Sequence, residues 1–312
     1  MDRLTENKII LIVRHTRLDE LIARFNTEAQ ARFYIQHLGA DFDDYQREDR
    51  TYKRSVQETE GILSRLGRVH VVDRAFIPNF IFGETDLVVV LGQDGLVANV
   101  LKYLDNQWVI GVNPDPARWE GVLLPFTPPQ LEAVVPDVFL KVRRIRRVTM
   151  AQADLNTGQI LYGVNDLFIG PRSHSSARYT IEINGRREDQ SSSGIIVSTG
   201  LGSTGWLRSV LAGATGIASA LTGRSFPDSS EQEFDWGLDH LVFSVREPWP
   251  SKTSSAGITF GRITPKTPLR IESHMPENGV IFSDGIEADF LQFTSGTLAT
   301  ISIAPKQGHL VV

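Results

Sequence analysis

A glycine turn between a buried strand and a helix carries the residues best suited to chemistry. The segment Asp86–Leu104 reads DLVVVLGQDGLVANVLKYL, with the turn Gly92, Gln93, Asp94 and Gly95 after its apolar run. Glycines let backbone amides approach a ligand, and the N-terminus of a following helix adds positive partial charge that favours an anion. A carboxylate in such a turn could also accept a proton. A plain strand–turn–helix corner with Asp94 as the N-cap explains the same pattern.

A second glycine segment lies about 100 residues further along the chain. Gly194–Ser209 reads GIIVSTGLGSTGWLRS, and Gly200, Gly202 and Gly205 satisfy the G-x-G-x-x-G spacing of dinucleotide-binding loops. That fingerprint also needs an acidic residue at the end of the next strand, about 20 residues on, and no clear strand follows here. The spacing therefore disfavours a Rossmann dehydrogenase.

Several other catalytic and metal-binding signatures are absent from the sequence. It contains no G-x-x-x-x-G-K-[ST] loop, no H-E-x-x-H and no G-x-S-x-G elbow, and its seven histidines form no i, i+4 pair. The lack of cysteine excludes disulfides, thiolate zinc sites, iron–sulfur clusters and cysteine nucleophiles. We therefore expect no metal site built from protein ligands alone.

The composition is that of a folded globular protein. The chain has 312 residues, 41% apolar and 22% charged, with a net charge of −5. This length favours two domains, and the slight acidity argues against nucleic acid as a partner. In the basic run from Lys141 to Arg147, charged residues alternate with apolar ones, as expected for a strand with a solvent-exposed face. The apolar run Ile9–Val13 is too short to span a membrane, so we expect no membrane association and a cytoplasmic location.

The first half of the chain alternates between strand and helix patterns. The predicted strands are Lys8–Val13, Val69–Val72, Asp86–Leu91 and Trp108–Val112, and the predicted helices are Arg17–His37, Asp41–Leu66 and Val97–Leu104. Such alternation predicts a parallel sheet whose faces are covered by helices.

From Val142 onward the pattern changes to short, turn-bounded strands. They are Arg143–Met150, Gln159–Tyr162, Tyr179–Ile183, Ile195–Thr199, Leu241–Val245, Leu269–Glu272, Val280–Ser283 and Thr297–Ile303. This half is predicted to be β-rich, with two packed sheets.

Together, the glycine segments and three further motifs resemble the NAD kinase family, in the family's order over roughly residues 86–290. The matches are GQDG at 92–95 to the family's G-G-D-G, GVN at 111–113, Asn-Asp at 165–166 to Asn-Glu, TGLGSTGW at 199–206 to T-P-T-G-S-T-A-Y, and FSDG at 282–285. FIG at 168–170, SSARY at 175–179, SSG at 192–194 and FSVREP at 243–248 are similar to the mitochondrial-type branch.

The resemblance implies an α/β plus β fold: an N-terminal Rossmann-like parallel α/β domain and a C-terminal β-sandwich domain. The first domain would cover residues 1–130 with a returning segment at about 291–312, and residues 131–290 would form the β-rich nucleotide-binding domain. The implied activity is ATP-dependent phosphorylation of the adenosine ribose 2′-hydroxyl of NAD, giving NADP, with Mg²⁺ on the donor. A homodimer or homotetramer is also implied.

The same resemblance assigns roles to residues. Asp94 would be the general base, and Asn165 and Asp166 would bind a ribose or adenine, although the pair could also cap a strand. Trp206 would stack on a base or belong to the core, and Arg246 would meet a phosphate or solvent. The implied nucleotide-binding residues are Gly92, Gln93, Gly95, Asn165, Asp166, Ser193, Thr199, Gly200, Gly202, Ser203, Thr204, Gly205, Trp206, Ser209, Arg246 and Asp284. Thr204 and Ser209 could instead cap a helix.

Some positions depart from the family pattern. Gln93 replaces the second glycine of the turn; if that position needs a positive φ, a non-glycine costs about 1–2 kcal/mol. Leu96 replaces a threonine, Ser193 an aspartate common in the bacterial branch, and Gly205 an alanine. Two alternatives therefore stay open: a kinase for another hydroxyl acceptor (a sugar, nucleoside or lipid), and a dinucleotide-binding protein without catalysis.

Overall fold

The computed structural model describes residues 5–226, 234–286 and 289–312. Its contacts divide the chain into two compact units. Unit 1 comprises Met1–Arg146 with His309–Val312, and unit 2 comprises Arg147–Gly308. The sequence places the corresponding boundaries near residues 130 and 291, and the assignment of nucleotide binding to the second domain stays a prediction.

Unit 1 is a parallel α/β unit. Its sheet has the order β2-β1-β3-β4, and His309 and Leu310 of the last strand pair in parallel with β4. The elements are β1 (Lys8–Val13), α1 (Arg17–Phe25), α2 (Glu28–His37), α3 (Phe42–Leu66), β2 (Arg68–Asp73), β3 (Leu87–Leu91), α4 (Asp94–Leu101), β4 (Trp108–Val112) and α5 (Leu131–Phe139).

The central strands of unit 1 are uninterrupted aliphatic runs because both faces of the sheet are covered. All five residues of β3 are buried, as expected for a strand inside a parallel sheet. Tyr52 and Leu63 of α3 and Leu131 of α5 pack in one core cluster with β1, β3 and β4. This packing holds the carboxyl ends of the strands, where the first glycine turn lies.

Two helix predictions in unit 1 need correction. The predicted helix Arg17–His37 is two helices, because Asn26 adopts a left-handed conformation (φ 67°) and the Thr27 side chain accepts the Gln30 amide to begin α2. The helix predicted at Val97–Leu104 is α4, which begins three residues earlier and ends at Leu101. Asp94 is therefore the first helical residue of α4.

Unit 2 is a β-sandwich, and its described residues include the helix α6 (Trp206–Thr222). One antiparallel sheet has the order β12-β11-β10-β7-β14-β15, and the other contains β16-β13-β8-β9 with β5 and β6. The strands are β5 (Ile145–Leu155), β6 (Ile160–Gly163), β7 (Asp166–Pro171), β8 (Ala177–Ile183), β9 (Arg186–Ser192), β10 (Ile195–Ser198), β11 (Leu241–Val245), β12 (Phe260–Ile263), β13 (Leu269–Ser273), β14 (Gly279–Ser283), β15 (Phe290–Gln292) and β16 (Leu298–Val311). A single core cluster takes residues from all twelve strands except β9. The predicted fold class, α/β plus a β-sandwich, is confirmed.

Four strands of unit 2 were not predicted from the sequence. β9 reads RREDQSS and has no alternating apolar residues, while β12 and β15 have only four and three residues. β7 lies within a segment that the sequence marks as a binding motif. The last strand also extends to Val311, eight residues beyond its predicted end at Ile303.

Among the described residues, no helix combines the length and the apolar character needed to cross a bilayer.

Candidate functional site

The first glycine turn connects β3 to α4 without backbone strain. Gln93 is the N-cap residue of α4 and has extended geometry (φ −120°, ψ 163°). A glutamine is therefore accommodated without a positive φ, and the 1–2 kcal/mol expected for a left-handed residue does not apply. The Gly92 amide donates to the Val112 carbonyl at 3.2 Å, which ties the turn to the end of β4.

Asp94 does not cap α4, so the alternative of a simple N-cap is wrong. Its carboxylate accepts the Leu123 amide at 2.7 Å through Oδ1 and the Val122 amide at 3.3 Å through Oδ2. Both amides belong to the loop that follows β4. The half-buried carboxylate thus fixes this loop beside the amino end of α4, and within the described residues Oδ2 accepts just the longer of the two bonds.

The G-V-N motif explains how that loop can come so close. A Cβ on Gly111 would lie 1.9 Å from the Leu123 carbonyl oxygen, so only glycine fits there. The Asn113 side chain donates to the Trp119 carbonyl at 2.9 Å and accepts the Asp115 amide at 3.0 Å. The motif therefore shapes the loop that Asp94 contacts.

A charged cluster that the sequence did not indicate holds the neighbouring strand end. Asp44 of α3 receives bonds from Arg17 at 2.8 Å and from Arg118, in the loop after β4, at 2.6 Å. Hydrogen bonds from Arg118 and Arg17 hold the pKa of Asp44 far below its ordinary value. Tyr52 accepts the Arg14 amide and donates to the Leu91 carbonyl, both at 2.9 Å. The side chains of α3 thus position the ends of both β1 and β3.

In unit 2, the carboxylate of Asp284 organises the turn that precedes β7. Asp284, which adopts a left-handed conformation (φ 55°), accepts backbone amides from Val164 at 3.0 Å, Asn165 at 2.6 Å and Asp166 at 3.3 Å. Successive amides that converge in this way form an anion-binding concavity. Asp284 therefore holds the backbone of the Asn-Asp motif.

Asp166 lies beside this carboxylate and is 8% exposed. Burial, and then the negative charge of Asp284, raise the pKa of Asp166 to about 7. A carboxyl group with this pKa can donate a hydrogen bond below neutral pH and only accept above it.

The raised pKa predicts a pH dependence of stability. In the unfolded chain the Asp166 carboxyl has the ordinary pKa of an aspartate, 3.8, whereas the folded protein keeps the proton to about pH 7. Its contribution to the free energy of unfolding therefore falls as pH rises through this window. Asp166→Asn removes the titration, so the stability of this variant relative to wild type should rise by about 2 kcal/mol between pH 5 and pH 8. Urea unfolding at both pH values measures this difference.

Asp154→Asn serves as the control, because Asp154 is an exposed carboxylate on β5. Its effect should be the same at both pH values. A pH-independent effect of Asp166→Asn would contradict the assignment.

The second glycine segment packs directly on the Asn-Asp turn. The Thr199 amide donates to the Asn165 carbonyl at 3.0 Å, and the Thr199 hydroxyl donates to the Val164 carbonyl at 2.6 Å. A Cβ on Gly202 would lie 2.0 Å from the backbone carbonyl oxygen of Asn165. A Cβ on Gly200 would lie 2.0 Å from the backbone carbonyl oxygen of Asp235. These glycines are required by close backbone contact.

Residues 201–204 then form a short 3₁₀ turn before α6. The Ser203 hydroxyl donates to the Gly200 carbonyl at 2.7 Å. Thr204, Gly205 and Ser209 are exposed, and the N-cap of α6 is Gly205. Neither Thr204 nor Ser209 therefore acts as the N-cap.

Trp206 forms one wall of a cavity of about 390 Å³ in unit 2. Its ring stacks on Phe168 (centroids 5.6 Å apart, planes 12° apart), and the Arg246 guanidinium lies 5.4 Å from its centre. The described lining residues are Phe168, Pro171, Arg172, Ser173, His174, Ser175, Ser193, Trp206, Arg246, Val280, Phe282 and Phe290. We call this the aromatic cavity.

The structure thus groups the sequence-predicted residues, apart from Thr204, Gly205 and Ser209, into three sets. Gly92, Gln93, Asp94 and Gly95 lie at the end of β3. Asn165, Asp166 and Asp284 lie with the glycine loop from Thr199 to Ser203, and Ser193, Trp206 and Arg246 line the aromatic cavity.

Sequence reasoning missed the other cavity residues, above all Arg172. This arginine follows the FIG motif directly after Pro171, and its guanidinium lies 4.4 Å from the centre of the Phe290 ring. Phe168 and Phe282 both stand in motifs that the sequence identifies, but only the pairing of β7 with β14 brings their rings together.

Comparisons with known proteins identify the fold. No family model matches the sequence, and no curated protein matches it. The structure is similar to yeast NADH kinase complexed with NADH (TM-score 0.59, 15% identity, 99% of this chain and 84% of that chain). It is also similar to an NAD kinase from Archaeoglobus fulgidus in complex with ATP (TM-score 0.57, 14% identity, 98% and 93%). The chain therefore has an NAD kinase-like fold, and the resemblance to the mitochondrial-type branch stays a prediction.

Proposed function

We propose that this protein is a kinase that transfers the γ-phosphoryl group of ATP to the adenosine ribose 2′-hydroxyl of NAD, giving NADP. The observation that carries the proposal is the position of Asp94, a carboxylate at the carboxyl end of a buried parallel strand, in a fold similar to that of two NAD(H) kinases. Ligands of parallel α/β sheets bind beyond the carboxyl ends of the strands.

Asp94 would act as the general base. The 2′-hydroxyl oxygen forms a bond to the γ-phosphorus, the bond from that phosphorus to the β–γ bridging oxygen breaks, and ADP leaves. The hydroxyl proton passes to Asp94. A carboxylate accepts about four hydrogen bonds, so the two loop amides leave acceptor capacity for the substrate hydroxyl.

Phosphate binding would draw on backbone amides around Gly92–Gly95 and in the Gly200–Gly205 loop. Mg²⁺ would enter with the donor, because the described residues include no group of three or more histidine, aspartate or glutamate side chains that could hold a metal. When bound to ATP it neutralises charge on the phosphate oxygens.

The adenosine half of the dinucleotide would bind at the Asn-Asp motif. The backbone of Asn165 is held on both sides, since its amide donates to Asp284 and its carbonyl accepts the Thr199 amide. Its half-buried side chain therefore has a defined position beside Asp166, and both side chains can hydrogen-bond a ribose or an adenine edge.

The test is a kinase assay with purified protein, ATP, Mg²⁺ and NAD, in which NADP is detected with an NADP-specific dehydrogenase. An authentic NAD kinase serves as the positive control. Phosphorylation of a sugar, nucleoside or lipid, but not NAD, would support another acceptor. Thermal stabilisation by NAD without turnover of any acceptor would support the dinucleotide-binding alternative. Absence of NADP under conditions that suit the control would refute the proposal.

The predicted homodimer or homotetramer also stays a proposal, as does the cytoplasmic location. Helix α6 offers a surface for a second copy of the chain, because Ile217 is 64% and Leu221 is 82% exposed. Arg208 is the only charged residue of α6, so little like-charge repulsion opposes its contact with the same surface of a partner.

Light scattering tests this surface. Ile217→Glu combined with Leu221→Glu should lower the mass of the wild-type oligomer, because each buried carboxylate would lack a partner. Ile160→Glu, which changes another exposed apolar residue of unit 2, is the control and should leave the mass unchanged. A monomeric wild-type protein would refute the proposal.

A further inference from the structure

Helix α3 contacts both of the segments that surround Asp94. We propose that Tyr52 and Ser55 of α3 are positioning residues for the Asp94 carboxylate, because one holds the glycine turn and the other holds the loop after β4. Their effect on catalysis rests on the proposed function, whereas their effect on the loop can be measured without catalysis.

The Tyr52 hydroxyl lies where the strands of unit 1 diverge. The order β2-β1-β3-β4 changes direction between β1 and β3, and ligands of such sheets bind in the crevice at this point. The ladder between β1 and β3 has already ended there. The hydroxyl bridges the two strands, because it accepts the Arg14 amide and donates to the Leu91 carbonyl, both at 2.9 Å. Leu91 directly precedes Gly92, so this bond fixes the start of the glycine turn.

The Tyr52 side chain is itself held in place. The residue is 4% exposed and packs in the core cluster of unit 1. The Arg14 guanidinium lies 4.9 Å from the ring centre and donates to Glu48 at 2.9 Å. Burial raises the pKa of Tyr52 to about 12, so the hydroxyl keeps its proton at neutral pH and remains a donor to Leu91.

Ser55 holds the second segment. It lies three residues after Tyr52, so the two side chains are neighbours on one face of α3. Its buried hydroxyl donates to the Pro114 carbonyl at 2.9 Å. Pro114 lies near the start of the loop that follows β4, and two amides of this loop donate to the Asp94 carboxylate. The bond from Ser55 therefore fixes the base of the loop on which that carboxylate depends.

The position of Asp94 thus depends on two segments that one face of α3 secures. A general base must lie within hydrogen-bond reach of the proton that it accepts, and a misplacement of about 1 Å can lower a rate about 100-fold. The proposed dinucleotide-binding residues belong to unit 2, whereas these contacts belong to unit 1. Loss of either hydroxyl should therefore act on the chemical step more than on the binding of NAD.

Kinetics of Tyr52→Phe and Ser55→Ala test the catalytic consequence. Each variant should lower kcat by about tenfold and change the KM for NAD by less than about threefold. Ser273→Ala is the matched control, because the Ser273 hydroxyl is also buried and donates to a backbone carbonyl, that of Phe293, at 2.7 Å in unit 2. Its kcat should equal that of wild type. A full kcat in both α3 variants would overturn the inference.

A double-mutant cycle with Asp94→Asn separates positioning from a general loss of stability. If Tyr52 acts through Asp94, Tyr52→Phe should lower kcat in the wild-type background and leave the residual kcat of Asp94→Asn unchanged. An equal fall in both backgrounds would show an effect independent of Asp94 and would contradict the positioning role.

Hydrogen exchange at the Leu123 amide tests the structural consequence without catalysis. That amide donates to Asp94 at 2.7 Å, so its exchange requires this contact to open. Tyr52→Phe and Ser55→Ala should each speed the exchange by about five- to tenfold, and Ser273→Ala should not. Unchanged exchange in both α3 variants would overturn the inference. Faster exchange in a protein that makes no NADP would support the positioning of Asp94 and refute the proposed kinase.

Discussion

Replacement of Asp94 by asparagine is expected to lower kcat for NAD phosphorylation by about 10²- to 10⁴-fold, the usual contribution of a general base. The asparagine carbonyl oxygen can still accept the Leu123 amide, now 2.7 Å from Oδ1, so the loop after β4 should keep its position. The amide cannot accept the hydroxyl proton. The loss should therefore appear in kcat, measured with saturating ATP and NAD, with little change in the affinity for NAD.

Asp115→Asn provides the matched control. Asp115 lies in the same loop, and its backbone amide is held by Asn113. We expect this variant to retain nearly the full rate. If Asp94→Asn were as active as wild type, Asp94 would not be the base. Equal losses in both variants would instead indicate a general disturbance of the loop.

Gly202→Ala is expected to destabilise the protein by about 3 kcal/mol, at the upper end for an overpacked site. The added methyl would lie 2.0 Å from the Asn165 carbonyl oxygen, and that oxygen belongs to a backbone segment held by Asp284 and Thr199. Neither side can move without loss of hydrogen bonds. Urea unfolding measures the change, and affinity for NAD should fall with it because the Asn-Asp turn is displaced.

Gly213→Ala is the control for this substitution. Gly213 lies within α6, and a Cβ there would meet no other atom within 4 Å. Alanine in a helix interior is favoured over glycine by about 0.5–1 kcal/mol, so this variant should be slightly more stable than wild type. An unfolding midpoint of Gly202→Ala equal to that of wild type would contradict the contact between the glycine loop and Asn165.

Both predictions depend on contacts between segments that are distant in the sequence. The glycine pattern at residues 200–205 indicates a loop that approaches something closely, and a ligand was the natural candidate. In the structure, the closest groups to Gly200 and Gly202 are the backbone oxygens of Asp235 and Asn165. The motif therefore also serves to build the site, and its exposed members, Thr204 and Gly205, are the ones accessible to a ligand.

Local periodicity was sufficient to predict most of the secondary structure. β3 is an uninterrupted aliphatic run, and β1 and β4 are largely apolar, because they lie inside a parallel sheet; that signal is independent of their neighbours. The break between α1 and α2 is decided by one residue, Asn26, in a left-handed conformation, which an otherwise continuous helical pattern does not reveal. β9 is polar along its length, so only its pairing with β8 identifies it.

The candidate site likewise has features that the sequence shows and features that only the tertiary structure shows. The sequence by itself determined the fold class, the glycine turn with its carboxylate, and the resemblance to NAD kinases, because these depend on residues adjacent in the chain. Only the tertiary structure decided that Asp94 contacts the loop after β4, that Asp284 shapes the Asn-Asp turn, and that Arg172 and Arg246 share one cavity. These features arise from strand pairing and loop packing, whose partners lie far apart in the sequence and leave no local pattern.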